Sequence, residues 1–296
     1  MKVAVVALGG NAILKSNEKG TFQQQLKNVR RTVKQLKILL KKYRIVLTHG
    51  NGPQVGNLLL QQETSKEKIP PMPLYVCDAM TQGQIGCFLQ MNLRNQLKKP
   101  VATVVTQILV DKNDPAFKKP TKPIGPYYSK KIFKNMIKQP EGWRRVVPSP
   151  KPKEIIEIEE IKDLVEKGVI VIACGGGGIP VVLKNGKLTG IEAVIDKDYA
   201  SQKLATKLKA KTFIILTDID FVYLNYRKRN QRPLKKITVK EAIKYLKQGH
   251  FKEGSMKPKI EASVEFLKNG GKKVIITELS SLEKALKNKT GTVITN

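Results

Sequence analysis

Apolar residues recur along this chain in two alternating patterns. From Phe22 to Leu40 they recur at steps of three and four residues, which predicts a long amphipathic helix. Further helical patterns cover Val76–Leu97, Ile155–Glu166, Asp198–Leu208, Val239–Lys247 and Ile260–Leu267. Short apolar runs predict buried strands at Val3–Leu8, Ile45–Leu47, Val101–Thr106, Val169–Ala173, Phe213–Leu216 and Val274–Thr277. This alternation favours an α/β fold with a mainly parallel sheet covered by helices on both faces.

Two segments depart from the alternation. Asn185-Gly186, between Val181–Leu183 and Lys187–Thr189, predicts a hairpin turn. Residues 111–152 hold eight of the sixteen prolines and the only tryptophan, Trp143. Such density excludes an ordinary helix or central strand, and the segment carries more aromatic residues than a disordered linker usually does. We therefore predict an ordered lid subdomain at 111–152, inserted into a single domain spanning 1–296; a disordered linker is the alternative.

Three glycine-rich turns each close a predicted strand. Gly9-Gly10-Asn11 follows the first, Thr48–Gly56 (THGNGPQVG) the second, and Gly175–Gly178 the run Val169–Ala173. Glycine lets backbone N–H groups approach a ligand, and a helix beginning near Pro53 would add partial positive charge. One such turn is usually only a tight turn. Three along the carboxyl edge of one parallel sheet predict a site for a phosphorylated ligand.

The chain is strongly basic, with 55 Lys and Arg against 24 Asp and Glu, a net charge of +31. These basic residues are dispersed, and no repeat of aromatics lies among them. We favour a solvated surface, with steering of anionic substrates and nucleic-acid binding as alternatives. A nucleic-acid partner is therefore not expected. No membrane partner is expected either, since no apolar run approaches the roughly 18 residues of a membrane span.

The cysteines and histidines exclude two further classes of protein. Cys77, Cys87 and Cys174 are unevenly spaced and form no CxxC motif, and the chain has two histidines. This argues against a disulfide framework and a zinc site, and for a reducing compartment. No signal peptide is evident. We expect a cytoplasmic protein.

Phosphoryl transfer requires accurate positioning and positive charge near the transferred group. Candidate groups stand where predicted helices begin or strands end: Asp196, Lys197, Asp198, Thr217, Asp218 and Lys259. Lys122 is a further candidate because the flanking Pro120 and Pro123 make its segment stiff. Either Asp196 or Asp198 could instead be a helix cap. The chain has no Gly-x-x-x-x-Gly-Lys-Ser/Thr loop and no Gly-x-Ser-x-Gly elbow. Any nucleotide site is therefore built on another architecture than the P-loop.

Seven motifs together resemble the carbamate kinases, a branch of the amino acid kinase family. They are ALGGNA at Ala7–Ala12, THGNGPQVG at Thr48–Gly56, DKNDPAFKKPTKPIGPYY at Asp111–Tyr128, GWRRVVPSP at Gly142–Pro150, GGGGIP at Gly175–Pro180, VIDKD at Val194–Asp198 and GSMKPK at Gly254–Lys259. The resemblance is collinear over essentially the whole chain. It implies a three-layer αβα sandwich with a small protruding subdomain, and a homodimer.

The resemblance also implies an activity. The chain would be a phosphotransferase with a carboxyl-type acceptor, using Mg²⁺ and moving a phosphoryl group reversibly between ATP and carbamate. The products would be ADP and carbamoyl phosphate, and the net direction would be ATP synthesis in arginine catabolism of the arginine deiminase type.

The resemblance assigns roles to individual residues. The phosphoryl group and carbamate would be bound by Gly9, Gly10, Asn11, Gly50, Asn51, Gly52, Gly175 and Gly176. Lys122, Lys197 and Lys259 would neutralise charge, and Asp198 would orient the lysines. The nucleotide would lie along Thr217, Asp218, Tyr223 and Met256, in a nucleotide-side half at 211–296. No direct protein ligand is assigned to Mg²⁺, which the phosphates would hold.

Two positions refine this assignment. Acetylglutamate, aspartate and uridylate kinases resemble one another in a lysine two positions before the first glycine pair, where this chain has Ala7; in carbamate kinases the lysine of the insert, here Lys122, supplies that charge. This disfavours an acetylglutamate- or uridylate-type kinase. A basic nucleic-acid-binding protein on a kinase-like scaffold is the other alternative. Lys257 stands where the family usually has glycine, and lysine resists the positive φ that glycine permits.

Overall fold

The computed structural model describes residues 1–15 and 17–296. Its strands in chain order are β1 (Lys2–Leu8), β2 (Tyr43–His49), β3 (Val101–Thr103), β4 (Gln107–Val110), β5 (Lys122–Tyr128), β6 (Met136–Gln139), β7 (Gly142–Val147), β8 (Pro152–Ile155), β9 (Ile170–Ile172), β10 (Ile179–Lys184), β11 (Lys187–Gly190), β12 (Thr212–Thr217), β13 (Val222–Leu224), β14 (Arg232–Leu234), β15 (Lys236–Thr238), β16 (Lys273–Glu278) and β17 (Thr292–Thr295).

The helices cover both faces of the main sheet. They are α1 (Phe22–Leu36), α2 (Gly52–Ser65), α3 (Leu74–Leu97), α4 (Ile158–Glu166), α5 (Lys197–Lys207), α6 (Val239–Lys247), α7 (Met256–Lys268) and α8 (Leu282–Leu286). Helix α1 begins where Thr21 and Gln24 form a capping box, and its apolar stripe is buried as the spacing predicts. Among the described residues, no helix combines the length and apolarity needed to cross a membrane.

The main sheet has eight strands in the order β15-β17-β16-β12-β1-β2-β9-β3. Neighbouring strands are parallel except for the antiparallel pair β16 and β17. Strands β12, β1, β2 and β9 lie side by side, and Leu8 of β1 aligns with Leu216 on one side and His49 on the other. The loops after these four strands therefore meet at one edge of the sheet.

The core has two halves, one on each face of the sheet. Alternate residues of β1 point to opposite faces, so Val5 and Ala7 join the cluster beneath α5 and α7, while Val6 and Leu8 join the cluster beneath α1 and α3. This arrangement confirms the predicted three-layer α/β fold with a mainly parallel central sheet.

The proline-rich segment contains a small antiparallel sheet in the order β5-β7-β6. This sheet protrudes from the fold and packs against α2 where Gly56 faces Gly125. A Cβ at Gly56 would overlap the backbone N and Cα of Gly125, which itself has φ +71°. The contact is therefore one of backbone against backbone. Hereafter "the insert" denotes residues 111–152.

Several local predictions are confirmed and others are wrong. Asn185 and Gly186 both have positive φ in the hairpin between β10 and β11, as predicted. The predicted strand at 101–106 ends at Thr103. The backbone of Thr106 has left the main sheet and bonds to the side chain of Gln82 and to the backbone N–H of Ile179 in β10. The helix predicted from Ile155 begins at Ile158, since Ile155 pairs with β4.

Lys257 does not disturb its loop in the way the sequence suggests. Helix α7 begins at Met256, so Lys257 is helical and needs no positive φ. Its ammonium group forms an ion pair with Glu253, four residues earlier. The side chain is therefore accommodated at the helix start.

Candidate active site

The glycine turns meet at the carboxyl edge of the main sheet, as the parallel order requires. The backbone N–H of Gly9 donates to Leu216 O at 2.8 Å, and that of Gly50 donates to Leu8 O at 3.2 Å. The aliphatic part of Lys197 lies against Gly50, 3.4 Å from where a Cβ would stand. The turns after β1 and β2 thus adjoin the start of α5.

The turn after β9 is the most tightly packed of the three. Gly175, Gly176 and Gly177 form one buried turn, in which the backbone of Gly176 is not helical. Gly176 has φ +68°, and a Cβ there would collide with the amide of Asn51 and stand 2.6 Å from Asp78 Oδ1. Gly176 therefore lies directly on the side chain of the neighbouring turn.

Two lysines and one carboxylate form a buried cluster at the start of α5. Lys197 Nζ lies 2.5 Å from Asp198 Oδ1, and Lys259 Nζ, from the first turn of α7, lies 2.9 Å from Asp198 Oδ2. Asp196 is the N-cap of α5 and accepts from the backbone N–H of Asp198 at 2.9 Å. Both carboxylates open the helix, where its dipole favours negative charge.

Charge balance within this cluster controls its ionisation. Burial alone would raise the pKa of Asp198, but Lys197 and Lys259 hold it well below its usual range. Burial lowers the pKa of Lys197, although Asp198 opposes that shift. Burial also opposes the charge of Lys259, yet the nearby carboxylates outweigh it and raise its pKa. Asp198 is therefore an anion at neutral pH.

The insert supplies a third lysine. Lys122 Nζ, at the start of β5, lies 2.6 Å from Asp196 Oδ2, and its side chain is 23% exposed. Three ammonium groups thus surround two carboxylates, Asp196 and Asp198, beside the glycine turns. The arrangement leaves one positive charge uncompensated, which suits an anionic ligand.

The structure brings together most of the residues assigned from the sequence. Lys122, Lys197, Asp198 and Lys259 form one linked cluster, with Gly9, Gly10, Gly50, Gly52, Gly175 and Gly176 on the adjoining turns. Their catalytic and binding roles stay predictions. The side chain of Asn11 lies outside the described residues. The amide Nδ2 of Asn51 is directed at helix α3, where it donates to Asp78 and Thr81.

The residues assigned to the nucleotide occupy the neighbouring part of the edge. Thr217 ends β12 and donates to Asp218 Oδ1 at 2.9 Å, and Asp218 contributes to the charge environment of Lys259. Met256 begins the helix that carries Lys259. Tyr223 lies on β13, with its hydroxyl donating to Asp220 at 2.7 Å. Of these four, Tyr223 alone shows no link to the lysine cluster among the described contacts.

Thr217 and Asp218 also line a cavity of about 500 Å³ that extends to α1. The cavity lies on the α1 side of β12. Its lining shares Thr217 and Asp218 with the residues assigned to the nucleotide.

Sequence reasoning missed two residues near the cluster. Arg144 of β7 reaches from the insert to within 3.8 Å of where a Cβ of Gly52 would stand, and it donates to Gly125 O at 3.0 Å. Asp78 of α3 is fully buried beside Asn51. Arg144 carries no distinguishing signal among so many basic residues. Asp78, Thr81 and Gln82 are detectable as polar residues at i, i+3 and i+4 within a helix that is otherwise apolar on that side.

The ion pairs of Asp196 and Asp198 determine which carboxylate oxygens could bind a metal ion. Both oxygens of Asp198 accept from lysines, and one oxygen of Asp196 is bound to Lys122. No group of three His, Cys, Asp or Glu suited to a metal ion occurs within residues 1–15 and 17–296. A metal ion bound directly by these carboxylates would therefore have to compete with the lysines.

Comparison with known proteins gives a consistent result. Residues 2–278 match the family model described as the amino acid kinase family. The carbamate kinase of Thermococcus kodakarensis is 51% identical, with 99% of each chain covered, and carbamate kinase 2 of Enterococcus faecalis is 47% identical with the same coverage. The structure of Giardia lamblia carbamate kinase bound to AMP-PNP superposes with a TM-score of 0.92 at 42% identity, covering 99% of this chain and 98% of that one.

The buried cluster generates a stability prediction. Asp198→Asn leaves the ammonium groups of Lys197 and Lys259 buried without an anion, so we expect a loss of about 3–5 kcal/mol in the free energy of unfolding at pH 7. Urea unfolding measures it. Asp163→Asn on exposed α4 is the matched control, expected within about 0.5 kcal/mol of wild type.

Wild type and Asp198→Asn also test how the contribution of Asp198 to the free energy of unfolding depends on pH. Because the folded pKa of Asp198 lies below its unfolded value of 3.8, its contribution is present above that pH and is lost as the pH falls through the folded pKa. The gap between wild type and Asp198→Asn should persist from pH 7 to about 4 and narrow below it. A gap under 1 kcal/mol at pH 7, or one that widens in acid, would contradict the role assigned to Asp198.

Proposed function

The chain belongs to the amino acid kinase family, and to the carbamate kinases within it, and on that premise we propose that it transfers a phosphoryl group reversibly between ATP and carbamate. The family makes the chain a phosphotransferase. The observation that carries the choice of substrate is the contact between Lys122 and Asp196. It brings a cation of the insert to a site where β1, two positions before the first glycine pair, has the fully buried Ala7 in place of the lysine of the acetylglutamate, aspartate and uridylate kinases.

The proposed mechanism relies on positioning and charge. A carboxylate oxygen of carbamate attacks the γ-phosphorus of ATP, the new P–O bond forms as the bond to the β-phosphate oxygen breaks, and ADP leaves. The N–H groups of Gly9 and Gly50 bond to the sheet, so backbone N–H groups of the residues that follow them in the two turns would bind the transferred group. Lys122, Lys197 and Lys259 would neutralise the charge of its oxygens. Asp198 would hold two of the three lysines in place before the ligand arrives.

Magnesium would enter with the nucleotide. It would be held mainly by phosphate oxygens, because Asp198 is fully committed to Lys197 and Lys259. When bound, the ion would neutralise charge on the phosphates. On the nucleotide side, Thr217, Asp218, Tyr223 and Met256 remain our assignment for ATP and ADP.

We further propose that net flux runs toward ATP, in arginine catabolism of the arginine deiminase type. Carbamoyl phosphate is a mixed anhydride with a high phosphoryl-transfer potential, so ATP synthesis is the favourable direction where the compound is supplied. We also infer a reducing, cytoplasmic setting. Its support is that Cys77, Cys87 and Cys174 are all free thiols, one of them exposed.

A homodimer is the proposed assembly. Helix α3 is apolar on several sides, and its outer face presents Met80, Cys87 and Met91 at intervals of seven and four residues. Met80 and Met91 are 44% and 46% exposed. Large apolar side chains at helical spacing on a surface are typical of a protein interface.

The first test of function is a coupled assay. Purified protein should form ATP from ADP and carbamoyl phosphate only with magnesium, because the ion reaches the site on the nucleotide. Excess chelator should abolish the reaction. Comparable turnover of acetylglutamate or UMP would favour the other kinase class, and salt-dependent DNA retention without ATP turnover would favour the nucleic-acid alternative.

The second test addresses the insert, which we propose closes over the site with Lys122. Lys122→Ala should lower kcat/KM for carbamoyl phosphate by roughly 100- to 1000-fold, as expected when one charge-stabilising group is lost. The KM for ADP should change less than about threefold, because nucleotide binding depends on other residues. Lys130→Ala, an exposed lysine of the same insert, is the matched control. An ADP defect with carbamoyl phosphate kinetics intact would assign the arm to the nucleotide instead.

The third test addresses assembly. Met80→Glu combined with Met91→Glu places two charges on the outer face of α3, and analytical ultracentrifugation should then show monomer where wild type shows dimer. Ile132→Glu, an equally exposed apolar residue of the insert, should leave the dimer intact. A monomeric wild type would contradict the proposed assembly.

A further inference from the structure

A second group of polar residues is buried near the start of α3. Asp78 and Thr81 are fully buried, and Gln82 is nearly so. The amide Nδ2 of Asn51 donates to Asp78 Oδ1 and, at 2.7 Å, to Thr81 Oγ1, which in turn donates to the backbone oxygen of Asp78 at 2.7 Å. One turn of α3 therefore holds the side chain of Asn51.

Asn51 stands between Gly50 and Gly52, directly before α2. It occupies the N-cap position of α2, yet its side chain makes no capping hydrogen bond to that helix. Asparagine is a favourable cap, so the side chain has given up one local interaction for the contact with α3. The orientation of the turn at Gly50–Gly52 is consequently fixed from α3.

The same turn of α3 also holds the third glycine turn. Gln82 bonds Thr106 through two hydrogen bonds, and Thr106 Oγ1 accepts from the backbone N–H of Cys174 at 3.0 Å. Gly176 then lies against Asn51 and Asp78 with no room for a Cβ. Two of the three turns that face the ligand are thus supported by neighbouring residues of one helix.

The surroundings of Asp78 contain few charges. The titratable groups near it are His49 of β2, Cys77 on its own helix, Cys174, Lys197, which packs on Gly50, and Glu192, which accepts from the N-terminus of α3. No cation bonds Asp78 in the part of the chain the structure describes. Burial raises the pKa of Asp78 to about 8, against the opposing hydrogen bond from Asn51. The side chain is therefore a neutral acid at pH 7.

His49 complements this neutral acid. Burial lowers its pKa to about 4, so the ring is uncharged at neutral pH. Its Nε2 and Asp78 Oδ2 are buried side-chain atoms without a partner among the described residues. The region beneath the glycine turns is thus buried, polar and free of net charge from these two residues.

We propose that Asp78 is a positioning residue, a buried carboxylic acid that acts through Asn51 to fix the glycine turns at Gly50–Gly52 and Gly175–Gly176 for an anionic ligand. The proposal rests on the proposed function for the identity of that ligand. Its structural content, a neutral acid supporting two anion-binding turns, is independent of which phosphate compound binds.

The first experiment measures the protonation of Asp78 without any substrate. The folded protein keeps a proton up to about pH 8 that the unfolded chain releases near 3.8, so this residue alone makes the unfolding equilibrium constant rise up to tenfold per pH unit between those values. His49 has the opposite effect between about pH 4 and 6.5, so the net slope of the wild type appears above 6.5.

Asp78→Asn isolates this effect, because the amide keeps the size and hydrogen bonds of a neutral acid and does not ionise. The ratio of the unfolding constants of wild type and variant, from urea unfolding, should rise close to tenfold per pH unit between about pH 6.5 and 7.5. Asp163→Asn, an exposed residue, should give a flat ratio. A flat ratio for Asp78→Asn overturns the proposal.

The second experiment measures positioning. Asp78→Ala removes one of the two acceptors of Asn51 and leaves Thr81 as the other. Inorganic phosphate should then raise the melting temperature of this variant much less than it raises that of wild type or Asp78→Asn. In the coupled assay at pH 7, Asp78→Ala should lose roughly 10- to 100-fold in kcat/KM for carbamoyl phosphate, whereas Asp78→Asn should stay within about threefold of wild type. Above pH 8 the wild type should lose activity that Asp78→Asn retains.

The outcomes separate the two proposals. A wild type that makes no ATP from carbamoyl phosphate refutes the proposed function, while the unfolding ratio and phosphate protection still decide the role of Asp78. If Asp78→Ala does not fold, the pH dependence of Asp78→Asn decides it. Phosphate protection and kinetics that are equal in wild type and folded Asp78→Ala overturn the positioning role.

Discussion

The carboxylate of Asp198 is the interaction on which the site depends. It accepts from Lys197 on one oxygen and from Lys259 on the other, and so keeps two ammonium groups charged in a buried place. Asp196, two residues earlier, forms an ion pair with Lys122 of the insert. One helix start therefore assembles cations from three distant parts of the chain. An isolated buried ammonium would instead tend to lose its proton, as the lowered pKa of Lys197 indicates.

The central strands could be predicted because each is an apolar run buried on both faces. Once Val3–Leu8 and Ile45–Leu47 are read as parallel neighbours, the meeting of their glycine turns follows from geometry alone. The strands at Gln107–Val110 and Pro152–Ile155 could not be predicted in this way. They are short, only half of their residues are buried, and they pair with each other across the insert, which is a contact between distant parts of the chain.

The lysines of the site were predictable from motifs. The residues that support the turns show a detectable spacing in the sequence, but their partners and their burial could not be predicted. Periodicity assigns polar residues of a helix to its solvent face, and α3 breaks that rule because it packs against β-strands and other helices on several sides while one face stays exposed. Asp78 and Thr81 are consequently polar and buried, a combination that depends on the partner Asn51 brought from 27 residues away. Arg144 could not be identified from the sequence for another reason. Its position near Gly52 depends on how the insert packs against α2.

The seam between Gly56 of α2 and Gly125 of the insert has a mechanical consequence. Because main chain meets main chain there, neither surface has a side chain that could rotate to absorb a displacement. Helix α2 runs from this seam to the turn at Gly52, about 6 Å away at 1.5 Å per residue. Strand β5, which begins at Lys122, and the turn at Gly50–Gly52 are thus rigidly connected through the first turns of α2. Substitutions can accumulate on the surface of the insert. At Gly56 and Gly125, however, any side chain would cause steric overlap or backbone strain, so these two positions are restricted to glycine.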